Sequence, residues 1–309
     1  MSFNRLKRVS VGGALIFTLL FLILSCLYDI KYIMKMYKKT ICLMLVTALL
    51  SVLCSCSLSG RAEPDIRSSA EETTSNTVTV TFPEGFTVSE IAARLEENGV
   101  CSADDFMAEC NNTGYLDEFG IAIEHPESRA FVLEGYLFPD TYEFYRNENV
   151  SSVVKRFIRN FKSRITDEMA ERASSLGYTL DEIITLASII QEEAGNAADG
   201  KVSSVLHNRL SSPHFPKLQC DACTFYLRNS VKPYVSEEKY EEYLQLYSTY
   251  NCYGLPEGPI TNPGIDSINA ALFPEETGYY YFITDSDNNY IFAETWEQHQ
   301  KNVADAGLD

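Results

Sequence analysis

The chain has 309 residues, 45% of them hydrophobic and 12% aromatic, which excludes a disordered protein and leaves room for two domains. Its first 56 residues hold seven of the 25 Lys and Arg and one of the 43 acids, so residues 57–309 carry a formal charge of −24. So acidic a body is repelled by nucleic-acid phosphates, and no basic patch interleaved with aromatics argues otherwise.

Two apolar runs open the chain, Val11 to Tyr28 and Ile41 to Cys56, each preceded by basic residues. Read as a membrane span or uncleaved signal, the first keeps Arg5, Lys7 and Arg8 on the inner side. Read from an internal start at Met34 or Met36, the segment to Lys39 is a charged n-region and Ile41 to Leu53 its apolar h-region. Leu53-Cys54-Ser55-Cys56 then resembles a lipoprotein cleavage box with Cys56 as the lipid attachment residue. The short run ending in small residues and Cys favours that second reading. Either one tethers the body to the cell membrane on its extracytoplasmic side.

Residues 57–77 are polar, lack an apolar period and read as a flexible linker. Val78 to Phe82 alternate as a strand, closed by Pro83-Glu84-Gly85. Thr87 and Glu90 form a capping box for a helix through Val88, Ile91, Ala92 and Leu95 that stops at Asn98-Gly99. A second short helix follows Ser102 and runs to Cys110. Strand, helix, turn and helix match the size of a small sugar-binding module of the LysM type. An ordinary α/β subdomain that orients its neighbour is the alternative.

Between 131 and 146, Glu134, Asp140, Tyr136, Tyr142 and Tyr145 gather around Gly135 and Pro139, a composition suited to a loop that stacks on sugar rings. Aromatic density of this kind also builds cores. Val153, Val154, Phe157, Ile158 and Phe161 keep the spacing of a scaffold helix. The most telling stretch is Leu186 to Glu193. Leu186, Ile189, Ile190 and Glu193 fall on one helical face, and Thr179, Glu182 and Gly195 mark the helix start and stop at about 180 and 194. Glu193 thereby enters an aliphatic wall, where loss of hydration raises a carboxyl pKa and equips it as a general acid. A frayed, solvated helix end is the plain alternative, and Glu192, which points away from the stripe, is the internal control.

Tyr279 to Thr284 and Tyr290 to Ala293 flank a turn and predict a hairpin, and Thr295 with Gln298 caps a last helix carrying His299. Cys220-x-x-Cys223 lacks a second Cys pair, and the four histidines are scattered at 125, 207, 214 and 299, so no metal is expected. No phosphate loop or nucleotide fingerprint is present, and no cofactor is called for.

Taken in order, Glu134-Gly135-Tyr136-Leu137-Phe138-Pro139-Asp140-Thr141-Tyr142, the Leu186 to Glu193 run, Asn208-Arg209-Leu210, Leu218-Gln219-Cys220-Asp221, Tyr247 to Tyr250, Gly254 to Gly264 and Tyr280-Tyr281-Phe282 resemble the endolytic murein transglycosylases of the MltG or YceG-like family. The resemblance covers roughly 78 to 305. It implies a LysM-like α/β subdomain followed by a mixed α+β catalytic domain, with boundaries at 1–56 (anchor or signal), 57–77 (linker), 78–130 (LysM-like) and 131–309 (catalytic). It also implies cleavage of peptidoglycan between N-acetylmuramic acid and N-acetylglucosamine, next to the penicillin-binding proteins of the wall synthesis machinery.

The family's catalytic Glu corresponds to Glu193. Glu134, Tyr142, Asn208, Arg209, Gln219, Asp221 and Asn262 are the substrate-binding or supporting residues that the motifs imply. Because Cys252 and the Cys220-Cys223 segment both belong to cleft motifs of the family, a disulfide between them and a set of free thiols are both open. One carboxyl suffices for this chemistry: the C6 hydroxyl of the muramic residue attacks C1 and closes a 1,6-anhydro ring, so no second carboxylate need activate water. A lysozyme-like muramidase and a catalytically silent wall-binding module are the alternatives.

Overall fold

The computed structural model describes residues 76–194, 200–215 and 217–308. Both N-terminal apolar runs, Cys56 and most of the linker lie outside them. No helix among the described residues is long and apolar enough to cross a membrane.

Alternating Val and Thr make β1 (Thr77–Thr81) a strand with one inward face, and it pairs antiparallel with β2 (Thr141–Tyr145). Val80 stands opposite Tyr142 and Val78 opposite Phe144, so the apolar sides coincide. The pairing joins segments on either side of position 130. Between the strands run α1 (Val88–Glu97), α2 (Ala103–Glu109) and α3 (Gly114–Phe119). The predicted caps form: Thr87 and Glu90 close a capping box, and Ser102 accepts the Asp105 N–H. The scaffold helix α4 (Val150–Arg164) turns its five predicted apolar residues inward. Phe157 there joins Phe82, Tyr142 and Phe144 in a cluster with ring centroids 4.5–6.3 Å apart.

After α5 (Asp167–Leu176) comes the central helix, α6 (Leu180–Ala194), capped by Thr179 and Glu182 as the sequence predicts. Its burial exceeds a stripe: every position from Ile183 to Gln191 is buried. The polar members of that run have partners. Ser188 Oγ donates to Thr185 O and accepts the Ile260 N–H, and Gln191 Oε1 accepts from Gly264 N and Ser267 Oγ. The 254–264 loop and α10 (Ile265–Leu272) thus lie along the polar side of α6 while its aliphatic side enters the core. α7 (Gly200–Ser211) and α8 (Asp221–Tyr226) pack against α6, and α9 (Glu237–Tyr247) packs against α8. The predicted hairpin is β3 (Tyr281–Thr284) with β4 (Tyr290–Ala293), followed by α11 (Trp296–Asp305). The whole is a mixed α+β fold with two small antiparallel sheets among the described residues.

The 131–142 segment, expected as a sugar-stacking loop, is interior. Glu134 is only 1% exposed; its carboxyl accepts the Val88 N–H at the start of α1 and the Asn262 side-chain amide at 2.8 Å. Asn262 in turn accepts from Leu137 N and donates to Phe86 O, both at 2.9 Å. Gly135 has φ +87°, and a Cβ there would stand 2.5 Å from Pro259 Cγ, so only glycine lets the 254–264 loop approach this closely. Tyr142 is buried among the rings described above, its hydroxyl donating to Phe138 O. Glu134, Asn262 and Tyr142 are therefore corrected from substrate contacts to the joints that hold the segments together.

Burial pushes the Glu134 carboxyl up to about 8, against the donors that favour its charge. Between its ordinary value of 4.5 and about 8 the folded state keeps a proton that the unfolded chain has released, so this group's contribution falls as pH rises through that window. Replacing Glu134 with Gln flattens part of that fall. Thermal melts across the window measure it, and parallel profiles for the two proteins would refute the assignment.

Candidate active site

The end of α6 opens into a cavity of about 350 Å3. Glu193 lines it, half-buried, together with Arg209, Gln219 and Asp221, so four of the residues singled out by sequence meet around one space. Glu193 reaches it because it is the penultimate residue of a helix buried from Ile183 to Gln191. Glu192, one residue earlier, turns instead toward Gly85 and Glu90.

The 218–221 segment forms another wall of the cavity, and the Tyr247 to Tyr250 motif clamps it. Thr249 O accepts the Gln219 N–H at 3.1 Å; Thr249 Oγ1 accepts the Cys220 N–H at 2.8 Å and donates to Cys220 O at 3.0 Å. This clamp holds Gln219 at φ 58°, a left-handed conformation that costs a non-glycine residue free energy. Arg209 Nη2 donates to Gln219 Oε1 at 2.7 Å and the Tyr250 hydroxyl to Asp221 Oδ1 at 2.8 Å, fixing both side chains at the rim. Tyr281, Trp296 and His299 complete the cavity from the hairpin and α11. No local signal in the sequence marks the Thr249 clamp or Trp296, whereas His299 stands on the helix that Thr295 and Gln298 predict. Asn208 is adjacent in sequence but does not line the cavity; its side-chain amide donates to Thr277 O and Tyr279 O, each at 2.9 Å, and braces the approach to the hairpin.

Among the described residues, no group of three or more His, Cys, Asp or Glu is arranged to hold a metal ion. Cys220, Cys223 and Cys252 are free thiols, the first two buried, and burial raises all three.

The profile of the YceG-like family matches residues 62–305. The chain belongs to the YceG-like family. It is 31% identical over 240 residues to the endolytic murein transglycosylase of Bacillus subtilis (strain 168), covering 72% of this chain and 63% of that one. The protein of the same name from Streptococcus pneumoniae serotype 2 is 24% identical over 247 residues, 74% of this chain and 44% of its own length. The chain thus spans under two thirds of the length of either relative. In structure it resembles a yceG-like protein of Listeria monocytogenes solved at 2.6 Å, with a TM-score of 0.62 and 26% identity, covering 72% of this chain and 75% of that one.

In this YceG-like chain, burial raises the Glu193 carboxyl above the usual range, the Ala222 backbone N–H pulls it down, and the Asp221 charge raises it further. Glu192 is also raised, to about 7, by burial, Glu90 and Glu193. A shifted carboxyl alone therefore does not single out the functional residue; its meeting with Arg209, Gln219 and Asp221 around one cavity does. Changing Asp221 to Asn removes a repelling charge, so the Glu193 titration, followed by 13C NMR of the labelled carboxyl, moves to lower pH. An unmoved titration would mean that Asp221 exerts no field on Glu193.

Proposed function

We propose that this protein is an endolytic lytic transglycosylase of peptidoglycan, cutting the β-1,4 bond between N-acetylmuramic acid and N-acetylglucosamine and leaving 1,6-anhydro-muramic ends. The observation that carries the reading is Glu193, a half-buried carboxyl of raised pKa at the head of the cavity. Family membership and the relatives' shared name support it.

The chemistry follows from the opposed influences on that carboxyl. Burial raises the Glu193 carboxyl and so favours its protonated form, the form that donates to the glycosidic oxygen as the bond breaks through an oxocarbenium-like state. The Ala222 N–H then steadies the carboxylate that remains. That carboxylate accepts the proton of the C6 hydroxyl as its oxygen attacks C1 of the same sugar. Ring closure replaces water as the acceptor, and proximity supplies what a second carboxylate supplies in a hydrolase. Arg209, Gln219 and Asp221 orient the strand through their fixed polar groups. No cofactor enters.

A muramidase is the second reading, favoured by Asp221, a carboxylate on the same cavity. Mass spectrometry of glycan strands treated with the protein separates the two: anhydro ends mean transglycosylation, reducing ends hydrolysis. Glu193→Gln removes cleavage by at least about a thousandfold, the scale of a lost general acid added to its positioning. Glu192→Gln stays within a few-fold. Equal losses in the two variants would sink the assignment. Because the donor is the protonated form, cleavage falls as pH rises through the Glu193 pKa.

The tethering of the body outside the cytoplasm by a lipid on Cys56, or by an N-terminal span, belongs to the same proposal. So do a LysM-like subdomain, supported by the order of strand, three helices and strand from β1 to β2, and work beside penicillin-binding proteins. Cys56→Ala abolishes labelling by radioactive palmitate if the lipoprotein reading holds; undiminished labelling would leave the membrane span.

A further inference from the structure

The cleft has a wall that the proposed chemistry does not use. Trp296, the chain's single tryptophan, begins α11 at the rim of the Glu193 cavity and is 52% exposed. It is not loose. Its ring lies 5.8 Å from Tyr281 and 5.3 Å from His299, and His299 itself stacks on Tyr281 at 5.0 Å and 24°. The Arg209 guanidinium stands 5.9 Å from the Tyr281 ring, so cation, phenol, imidazole and indole form one braced layer. Burial and Arg209 both lower the His299 pKa, which keeps that imidazole neutral within the stack.

Two further facts point to a ligand against this layer. A large apolar ring left half in water at the rim of a cavity is free to pack on a ligand that enters it. Moreover, Arg209 Nε and His299 Nδ1 are buried and have no hydrogen-bond partner among the described residues, and both residues line the same cavity. A flat apolar face edged by unsatisfied polar atoms matches an N-acetylated pyranose. Such a sugar presents axial C–H groups on one face and hydroxyl and acetamido groups around its edge.

We propose that Trp296 is the stacking platform for one N-acetylhexosamine ring of the glycan strand, and that this contact seats the strand so that Glu193 meets the scissile oxygen. The inference rests on the glycan-cutting reading of the cleft. Trp296 is a positioning residue: it packs on a sugar, and the proton is moved by Glu193. Its loss therefore weakens strand binding more than it slows turnover.

Because Trp296 is the only tryptophan, its emission reports on this contact alone. The full chain carrying Glu193→Gln, in detergent, is titrated with peptide-free glycan strands, and strand binding is followed in parallel by co-sedimentation with insoluble peptidoglycan. A saturable change in emission tracking binding is expected. In the otherwise native chain, Trp296→Ala raises KM about tenfold, the size of one aromatic contact, with kcat within about twofold, and Trp296→Tyr restores most of the loss. Strand binding with unchanged emission, or an unaltered KM in Trp296→Ala, overturns the proposal. So does a fall in kcat that follows a lowered melting temperature, which is the mark of a purely structural role. A saturable emission change in Glu193→Gln together with no cleavage by the otherwise native chain would overturn the transglycosylase reading and leave the stacking contact standing. Absence of both binding and emission change would overturn both.

Discussion

A helix buried along most of its length can offer a working side chain only at an end, and that constraint organises this molecule. From Ile183 to Gln191 the central helix has no free surface, so its polar residues are used internally, Ser188 and Gln191 bonding to the 260–267 segment. The end of the same helix carries Glu193 to the cavity. Enclosure of the helix and partial burial of the carboxyl are thus one fact, and the raised pKa is its electrostatic consequence. The carboxyl keeps one backbone donor, Ala222, rather than an ion pair that would hold it charged.

The rest of the fold serves the placement of what faces that carboxyl. Asn262 and Glu134 bind the start of α1, the 134–137 turn and the 262 loop with five hydrogen bonds around two side chains, all in the interior. Gly135 admits Pro259 to the same junction. On the other side of α6, Thr249 holds Gln219 in a left-handed conformation and Arg209 takes up its amide. Strain at a cleft residue persists only when its surroundings over-determine it, and here three bonds from one threonine do so.

Burial of carboxyls is widespread in this protein, and that decides how charge can be used as a guide. Glu134, Glu192 and Glu193 are all raised. Glu134 faces protein on every side, and Glu192 is solvent-exposed beside Gly85 and Glu90. Of these three, Glu193 is the one that lines the cavity shared with Arg209, Gln219 and Asp221. The helical spacing separates Glu192 from Glu193 by about a hundred degrees, and this rotation, more than the size of either shift, distinguishes them.

Local signals were sufficient for much of this. The capping boxes at Thr87 and Thr179, the alternation of Val78 and Val80, the apolar period of α4, the hairpin of residues 281–293 and the orientation of Glu193 follow from steric and hydrogen-bonding rules that act within a few residues, so the sequence by itself determined them. The ordered motifs likewise sufficed for the family. Burial was not legible in the same way, because a motif of acids, tyrosines, glycine and proline reads alike whether it wraps a ligand or is wrapped by its own chain. Which it is depends on distant segments: β1 covers Tyr142, and the 262 loop covers Glu134. Helices α5, α7, α8, α9 and α10 also escaped a local reading, and the aromatic layer of Tyr281, Trp296 and His299 joins strand and helix residues that no periodicity links. Contacts between residues tens to hundreds of positions apart are set by how elements pack, and only the tertiary structure decides them.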